Sequence, residues 1–515
     1  MRMMSNNNFT APSRHPRLFY IDEPRLTFGF GQKLADPRDG IMLFGPYTRN
    51  KISGQLNIGI IGPEYCRNYL REYLKMIHRP IKGDGEVARP FFPGLEAAFG
   101  VFINFSNLPE IDIPNDEIME YLHYSDGHQR VNNLSNLYTQ KLVEYRKQED
   151  MPVNVWFIAI PDDIYTYGKP ESHIPSSPDN IKDGLSKNKR NANLIFLFDD
   201  FNKLREAYDF EINFHNQIKA KLLTDKVVTQ IVRASTIAFE QIWDDHKRIE
   251  TEHKFDTAKA WNISTTLYYK VGGLPWRLGD VRAGVCYLGL VYKKTHVDEN
   301  DRNACCAAQM FLDSGDGVVF KGNVGPWYNP ITKEFHIRKA DAHDLVKQSL
   351  DSFKKRMAPK EYPDEVFIHA KTDFDDEEWS GFIEATAGKT NLVGVRIREN
   401  NVVKLYRDYE YSVPRGTVLE VSPSKAYLWS KGYIPRIQTQ LGLETPNPLE
   451  IEITRGNAEI DIVCRDILAL TKLNYNTCIF CDGLPVTLRF ADRIGDVLTA
   501  GRNVEPGVLP FKHYV

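Results

Sequence analysis

The chain has 515 residues, 42% hydrophobic and 26% charged, with a formal net charge of −3. That length exceeds one ordinary core, so two large domains or more are expected. The composition is globular and excludes a disordered, collagen-like or disulfide-framed chain. The near-neutral total does not advertise nucleic-acid binding, which needs only a local basic face.

In chain order, "MRMMSNNNFTAPSRHPR" has basic residues but no apolar stretch. Residues 1–17 therefore read as a disordered leader and not as a secretory signal. Residues 17 to 62 read as strands and turns. "DPRDGIMLFGPY" (36–47) sets Pro, Asp and Gly ahead of a short apolar run, and "GQLNIGIIG" reads as a buried strand. "PEYCRNYLREYLKMI" then carries Tyr65, Leu70, Tyr73, Leu74 and Ile77 at helical spacing. "VNVWFIAIP" (153–161) is a second β-branched and aromatic run, residues 162 to 193 a polar loop or insertion, and "ANLIFLFDD" a third strand. Strands alternating with helices argue for an α/β layer with parallel strands.

"HNQIKAKLLTDKVVTQIV" (215–232) opens on a helix from about Asn213 to Leu223, with His215 and Lys219 at i and i+4 on one face. An imidazole and an ammonium side by side make sense if an anion sits between them; alone, the pattern is weak and is more often that of a solvated helix. A charged helical region spans 240 to 260. In "STTLYYKVGGLPWRLGD" (264–280), Gly272 and Gly273 stop a helix just after Lys270. Lys270 is either a surface residue matched to the helix dipole or a fixed cation.

Beyond this point the texture changes. "AGVCYLGLVYKK", "CCAAQMFLD", "GVVFKGNVGPWY" and "EFHIRK" read as consecutive strands, "AHDLVKQSLDSFKKRM" as a helix, "DEVFIHAK" as a strand and "DDEEWSGFIEAT" as a helix. "NLVGVRIREN" and "VVKLYRD" read as a strand pair. That order is the one a ribonuclease-H-like fold uses. The seven cysteines include the adjacent Cys305 and Cys306 and suit reduced thiols in the cytosol. The CxxC of Cys478 and Cys481 lacks a second ligand pair for zinc and reads as part of a strand, "YNTCIF". No stretch approaches the about 18 apolar residues of a membrane span.

The set H-x-x-x-K, then T-Q, then K-x-G-G-x-P-W, ahead of that second half, resembles the Argonaute family. The resemblance implies an α/β protein: a Rossmann-like MID domain with an N-terminal segment over 18–262 and a ribonuclease-H-like PIWI domain over 263–515, with no N or PAZ domain. It implies that His215 stacks on the first guide base and that Lys219, Gln230 and Lys270 contact the guide 5′-phosphate, with Thr229 and Arg233 as further candidates. It also implies a Mg²⁺ ion there, held by Gln230 and the terminal carboxylate of Val515.

Slicing members of the family hold two metal ions on a carboxylate tetrad. The matching positions here are Val291, Lys371 and Asp492. A valine binds no metal and a lysine repels one, so the chain reads as a pseudo-nuclease. The acids Asp373 to Glu378 read as a helix cap with a capping box from Asp375 to Glu378. "QKLADPRDGIMLFGP" and "NPITKEFHIRKADAHDL" look most like short prokaryotic Argonautes partnered with a TIR–APAZ protein. This implies a cytoplasmic guide-binding subunit that is not itself an enzyme. It would load a small 5′-phosphorylated RNA, pair with single-stranded target DNA, and activate NAD⁺ hydrolysis by a TIR–APAZ or sirtuin-like–APAZ partner. The heterodimer would assemble into a higher oligomer and cause abortive infection. Rival readings are a nuclease effector in place of TIR, a guided nuclease using His369, Asp373 and Asp492, and a nucleic-acid-binding protein without a guide.

Overall fold

The computed structural model describes residues 16–49, 54–83, 90–148, 152–182, 205–238, 256–280, 282–294, 304–312, 317–325, 334–501 and 509–514, with a few isolated positions besides. Its first lobe is built on a four-stranded parallel sheet in the order Glu110–Asp112, Ile58–Gly62, Val155–Ile160, Thr229–Arg233. The two central strands are buried at every position. That follows from their near-continuous apolar sequence and from helices covering both faces. Helix Glu64–Met76 buries Cys66, Leu70, Tyr73 and Leu74 on one face, and helix Gly127–Gln148 packs against helix Phe214–Leu222 on the other side of the lobe.

The second lobe is a ten-stranded mixed sheet. Toward one edge lies a three-stranded antiparallel meander, Val285–Lys294, Ala304–Leu312 and Gly317–Gly325. The first of these then pairs in parallel with Glu365–Ala370, which pairs in parallel with Asn391–Glu399. This is the connectivity expected of a ribonuclease-H-like core. Helices Lys339–Arg356 and Asp376–Thr386 cover one face; helix Val486–Thr499 packs on the first strand from the other.

The N-terminal segment does not stay with the first lobe. Arg17–Tyr20 adds an antiparallel edge strand beside Thr417–Ser422 of the large sheet, and Glu23 accepts from both Arg415 Nε (2.9 Å) and Lys472 Nζ (2.7 Å). A boundary at 262/263 falls inside helix Asp256–Lys270. That helix belongs to both lobes: Trp261 Nε1 donates to Phe91 O (3.2 Å), while Thr266 Oγ1 donates to Asn476 O (2.9 Å). One apolar core accordingly runs from Ile58 and Phe157 through Trp261 and Tyr268 to Leu468 and Leu488.

Three local expectations are corrected. The Pro, Asp and Gly of "DPRDG" are not a turn before a strand. Asp36 caps helix Pro37–Phe44 by accepting from the Arg38 amide, with Pro37 at its first position. "VVKLYRD" forms no strand; Asn400 Oδ1 takes the amides of Val402 and Val403 (2.9 and 2.8 Å), and strand Asn391–Glu399 pairs instead with Leu449–Arg455. "YNTCIF" is a loop, with Cys478 and Cys481 buried in it and the Cys478 amide donated to Asn262 Oδ1 (2.7 Å). The strand expected from "ANLIFLFDD" and most of the charged region over 240–260 lie outside the described residues.

Candidate functional site

Asn213 caps the helix that carries the His215–Lys219 pair, accepting from the Asn216 amide at 3.2 Å. Its C-terminal turn leads directly into strand Thr229–Arg233. Lys270 arrives from the last turn of helix Asp256–Lys270, which ends where sequence predicts. Gly272 adopts a positive φ of 105° and the Gly273 amide returns to Tyr268 O at 2.9 Å.

These elements converge on one backbone oxygen. Lys219 Nζ and Lys270 Nζ each donate to Thr229 O at 2.7 Å, and Lys270 Nζ also donates to Gln230 Oε1 at 2.7 Å. The two lysines are only 2% and 1% exposed. Burial pushes the Lys219 ammonium down to about 7, and burial together with Lys219 holds Lys270 well below the usual lysine range. Placing two buried like charges on a shared acceptor is costly without a counter-anion. The Thr229 hydroxyl is buried here without a hydrogen-bond partner.

His215 stands at the rim, open to solvent, with Nδ1 beside Asn216 Oδ1 at 3.1 Å. Crowding by protein on its inner side and the charges of Lys219, Lys270 and Arg493 lower its pKa to about 4. The ring is therefore neutral near pH 7 and offers a flat face rather than a charge. Arg233 is not in this group: it pairs with Asp162 (3.1 Å) and lies over the Tyr165 ring. Val515 lies outside the described residues.

Two contributors escaped the sequence reading. Arg493 comes from helix Val486–Thr499, which packs on the His215 helix. His513 belongs to the short turn Phe511–His513 near the end of the chain; burial and the charges of Lys512, Lys219 and Lys226 lower its pKa to about 4. Neither has a local motif, because tertiary packing alone brings Arg493 to His215 and His513 to Lys219. The residues fit a small anion with a planar neighbour. They fit Mg²⁺ less directly: of its two expected ligands only Gln230 is described, and its oxygen accepts from Lys270.

No protein-family model matches the chain, and the curated proteins contain no match either. Solved structures do match. The Clostridium butyricum Argonaute bound to a guide DNA and a 19-mer target DNA is 15% identical, with a TM-score of 0.64, over 97% of this chain and 55% of that one. The Aquifex aeolicus Argonaute is 13% identical, with a TM-score of 0.54, over 97% and 57%. The fold is that of the MID–PIWI part of an Argonaute. This chain spans about half the length of those proteins.

Of the three positions that the resemblance sets against the tetrad, one is apolar, one is a lysine and one is an aspartate paired with lysines. Val291 is 5% exposed and faces helix Val486–Thr499, where its Cγ1 approaches Gly495. Asp492 Oδ2 accepts from Lys371 Nζ at 2.5 Å, and Asp492 Oδ1 lies 3.7 Å from Lys293 Nζ. The rearranged site of the rival reading is not assembled. His369 is buried against Thr487 Oγ1 (2.9 Å), Asp373 pairs with Arg396, and Asp492 is held by lysines. No helix among the described residues is long and apolar enough to cross a membrane.

Proposed function

We propose that this chain is the guide-binding subunit of an Argonaute-type prokaryotic defence complex, holding the 5′-phosphate of a small RNA between Lys219, Lys270 and the Thr229–Gln230 strand. The observation that carries the reading is the convergence of two buried ammonium groups on Thr229 O beside the open face of His215. A terminal phosphate supplies the missing negative charge and several acceptors for charge-assisted hydrogen bonds, and the first base stacks on the imidazole. The guide then reads single-stranded target DNA by base pairing, while the protein reads the guide end and the backbone.

In this reading the chain does not cut. The remaining acid, Asp492, is tied to Lys371, and a two-metal mechanism needs several carboxylates. The partner and its chemistry rest on the sequence resemblance: an APAZ-bearing protein, NAD-hydrolysing through a TIR domain, that assembles with this chain on target binding and causes abortive infection. Mg²⁺ on Gln230 and Val515 is a separable part of the proposal.

The test is the affinity of the purified chain for one short RNA ending in a 5′-phosphate or a 5′-hydroxyl, with Mg²⁺ or with EDTA. A strong phosphate preference that Lys219→Ala removes supports the pocket. Equal binding of both ends overturns it, and a preference indifferent to EDTA removes only the ion.

A further inference from the structure

A second cluster lies on the opposite face of the PIWI sheet. Side chains alternate along a strand: Val291 faces Asp492 and its helix, so the next residue, Tyr292, faces helices Lys339–Arg356 and Asp376–Thr386. There the Tyr292 hydroxyl donates to Glu378 Oε1, and its ring stacks on Phe335 with centroids 5.7 Å apart. His336 follows Phe335. Its Nδ1 lies 3.5 Å from Glu378 Oε2 and 3.8 Å from Asp375 Oδ2.

Each of these three side chains is anchored by one polar atom and directs another into the cluster. Asp375 Oδ1 caps the helix by accepting from the Glu378 amide at 2.7 Å, leaving Oδ2. Glu378 Oε1 takes the Tyr292 hydroxyl, leaving Oε2. His336 Nε2 faces Glu334 Oε2 at 3.5 Å, leaving Nδ1. Glu378 is 1% exposed, and both its Oε2 and His336 Nδ1 are buried with no hydrogen-bond partner. His336 and Glu378 stand at ion-pair distance, as His336 and Glu334 do, but their atoms do not close to the about 2.7–2.9 Å of a charge-assisted hydrogen bond. Donors around a tetrahedral ion at about 2.0–2.2 Å from each stand roughly 3.3–3.6 Å apart; the ligand atoms of His336, Asp375 and Glu378 lie within 4.8 Å of one another and need only a small closure to reach that spacing.

We propose that His336, Asp375 and Glu378 bind a divalent transition-metal ion, Zn²⁺ by the character of the donors. One imidazole with two carboxylates suits zinc and its neighbours in the first row better than Mg²⁺. Tyr292 and Glu334 orient the ligands from behind, as supporting groups at zinc sites do. The ion joins the short strand Glu334–Phe335 to the first turn of helix Asp376–Thr386 and, through Tyr292, to the central strand. It is a clamp on the sheet face away from Asp492, independent of the guide pocket and of cleavage.

The test uses the full chain, stripped with a chelator, incubated with Zn²⁺ alone, desalted and assayed for metal. The wild type is expected to retain about one equivalent and to melt higher with Zn²⁺ than without. Glu378→Gln and His336→Gln lose both effects, whereas Asp492→Asn keeps them. Tyr292→Phe, with all three ligands intact, is expected to weaken Zn²⁺ about tenfold to a hundredfold. Should Glu378→Gln fail to fold, Asp375→Asn keeps the helix cap while removing one carboxylate and is still expected to lose the ion. A wild type that retains no more Zn²⁺ than these variants, or retention lost equally in Asp492→Asn, overturns the proposal.

Discussion

Lys219 and Lys270 end on the same backbone oxygen, that of Thr229, each at 2.7 Å. Two buried lysine amines so placed, each held below the usual lysine range, gain protons most readily when an anion binds between them. Lys270→Met removes one charge and keeps the aliphatic stem, and Lys219 still satisfies the carbonyl. The expected outcome is a split. The preference for a 5′-phosphorylated over a 5′-hydroxyl RNA falls about ten- to a hundredfold, the range of about 1.5–3 kcal/mol for a hydrogen bond to a charged group. Stability without ligand stays level or rises, because well-packed apolar replacements of buried charges are often neutral or stabilising. Chemical denaturation and a binding titration on the same preparation check both halves. A variant that loses stability and keeps the phosphate preference would show Lys270 to be structural.

The same pocket sets a pH dependence. Lys219 titrates near 7 in the folded chain, pushed down by burial from 10.5. Between those values the unfolded chain holds the additional proton, so this residue makes stability rise with pH from about 7 towards 10.5, and reduces stability below that window. Phosphate binding runs the other way, because it needs the ammonium form. Affinity for a 5′-phosphorylated RNA is expected to fall above pH 7 by up to about tenfold per pH unit. Affinity for the 5′-hydroxyl form should change little. His215, at about 4, is neutral throughout and contributes no slope. Titrations between pH 6.5 and 9 decide the matter: parallel slopes for the two RNAs would remove Lys219 from the phosphate contact.

The convergence of these residues was partly legible in the sequence because three of them carry their own local signals. The i, i+4 spacing put His215 and Lys219 on one face, and the Gly-Gly stop put Lys270 in a last turn. What periodicity could not show was that both ammoniums meet at a carbonyl, since backbone oxygens leave no trace in side-chain patterns. Arg493 and His513 were invisible for a related reason, being delivered by packing between distant segments. Turn chemistry misled at "DPRDG", where Asp and Pro serve as cap and first residue of a helix. Asp375 caps its helix as the sequence predicts, but the expected capping box is not completed, because the Glu378 carboxylate does not turn back to the cap. It reaches Tyr292 instead.

Glu23 offers a prediction about the fold itself. It is the acid shared by the buried Arg415 and Lys472. Burial alone would raise its pKa, but those two cations overcome that and hold it below the usual carboxylate range. With a folded pKa below the unfolded one, its contribution is present above about pH 4.5 and is lost as pH falls through the folded value. Glu23→Gln leaves two cations uncompensated in the interior and is expected to cost about 3–5 kcal/mol. It should also flatten the acid limb of the stability profile. Urea denaturation at pH 7 and pH 4 measures both; a loss under about 1 kcal/mol would mean that the N-terminal segment is not held through this residue.

Gly289 and Gly272 are both glycines near functional elements, yet they should respond differently to alanine. Gly289 lies in the central strand of the PIWI sheet, where a Cβ would fall 1.9 Å from Thr487 O. That contact is backbone, so only a shift of helix Val486–Thr499 can relieve it. The helix carries Asp492 and Arg493, and Thr487 also holds His369. Gly289→Ala is therefore expected to cost about 1–3 kcal/mol as overpacking and to weaken guide binding with it, because Arg493 moves away from His215. Gly272 meets nothing within 4 Å and is constrained only by its positive φ of 105°. Gly272→Ala should strain the end of the Lys270 helix at a cost of about 1–3 kcal/mol and act on Lys270 alone. Comparing the two by denaturation and by the 5′-phosphate preference separates the routes. If Gly289→Ala is as stable as wild type, the close approach of strand and helix is not what holds Arg493 at the pocket.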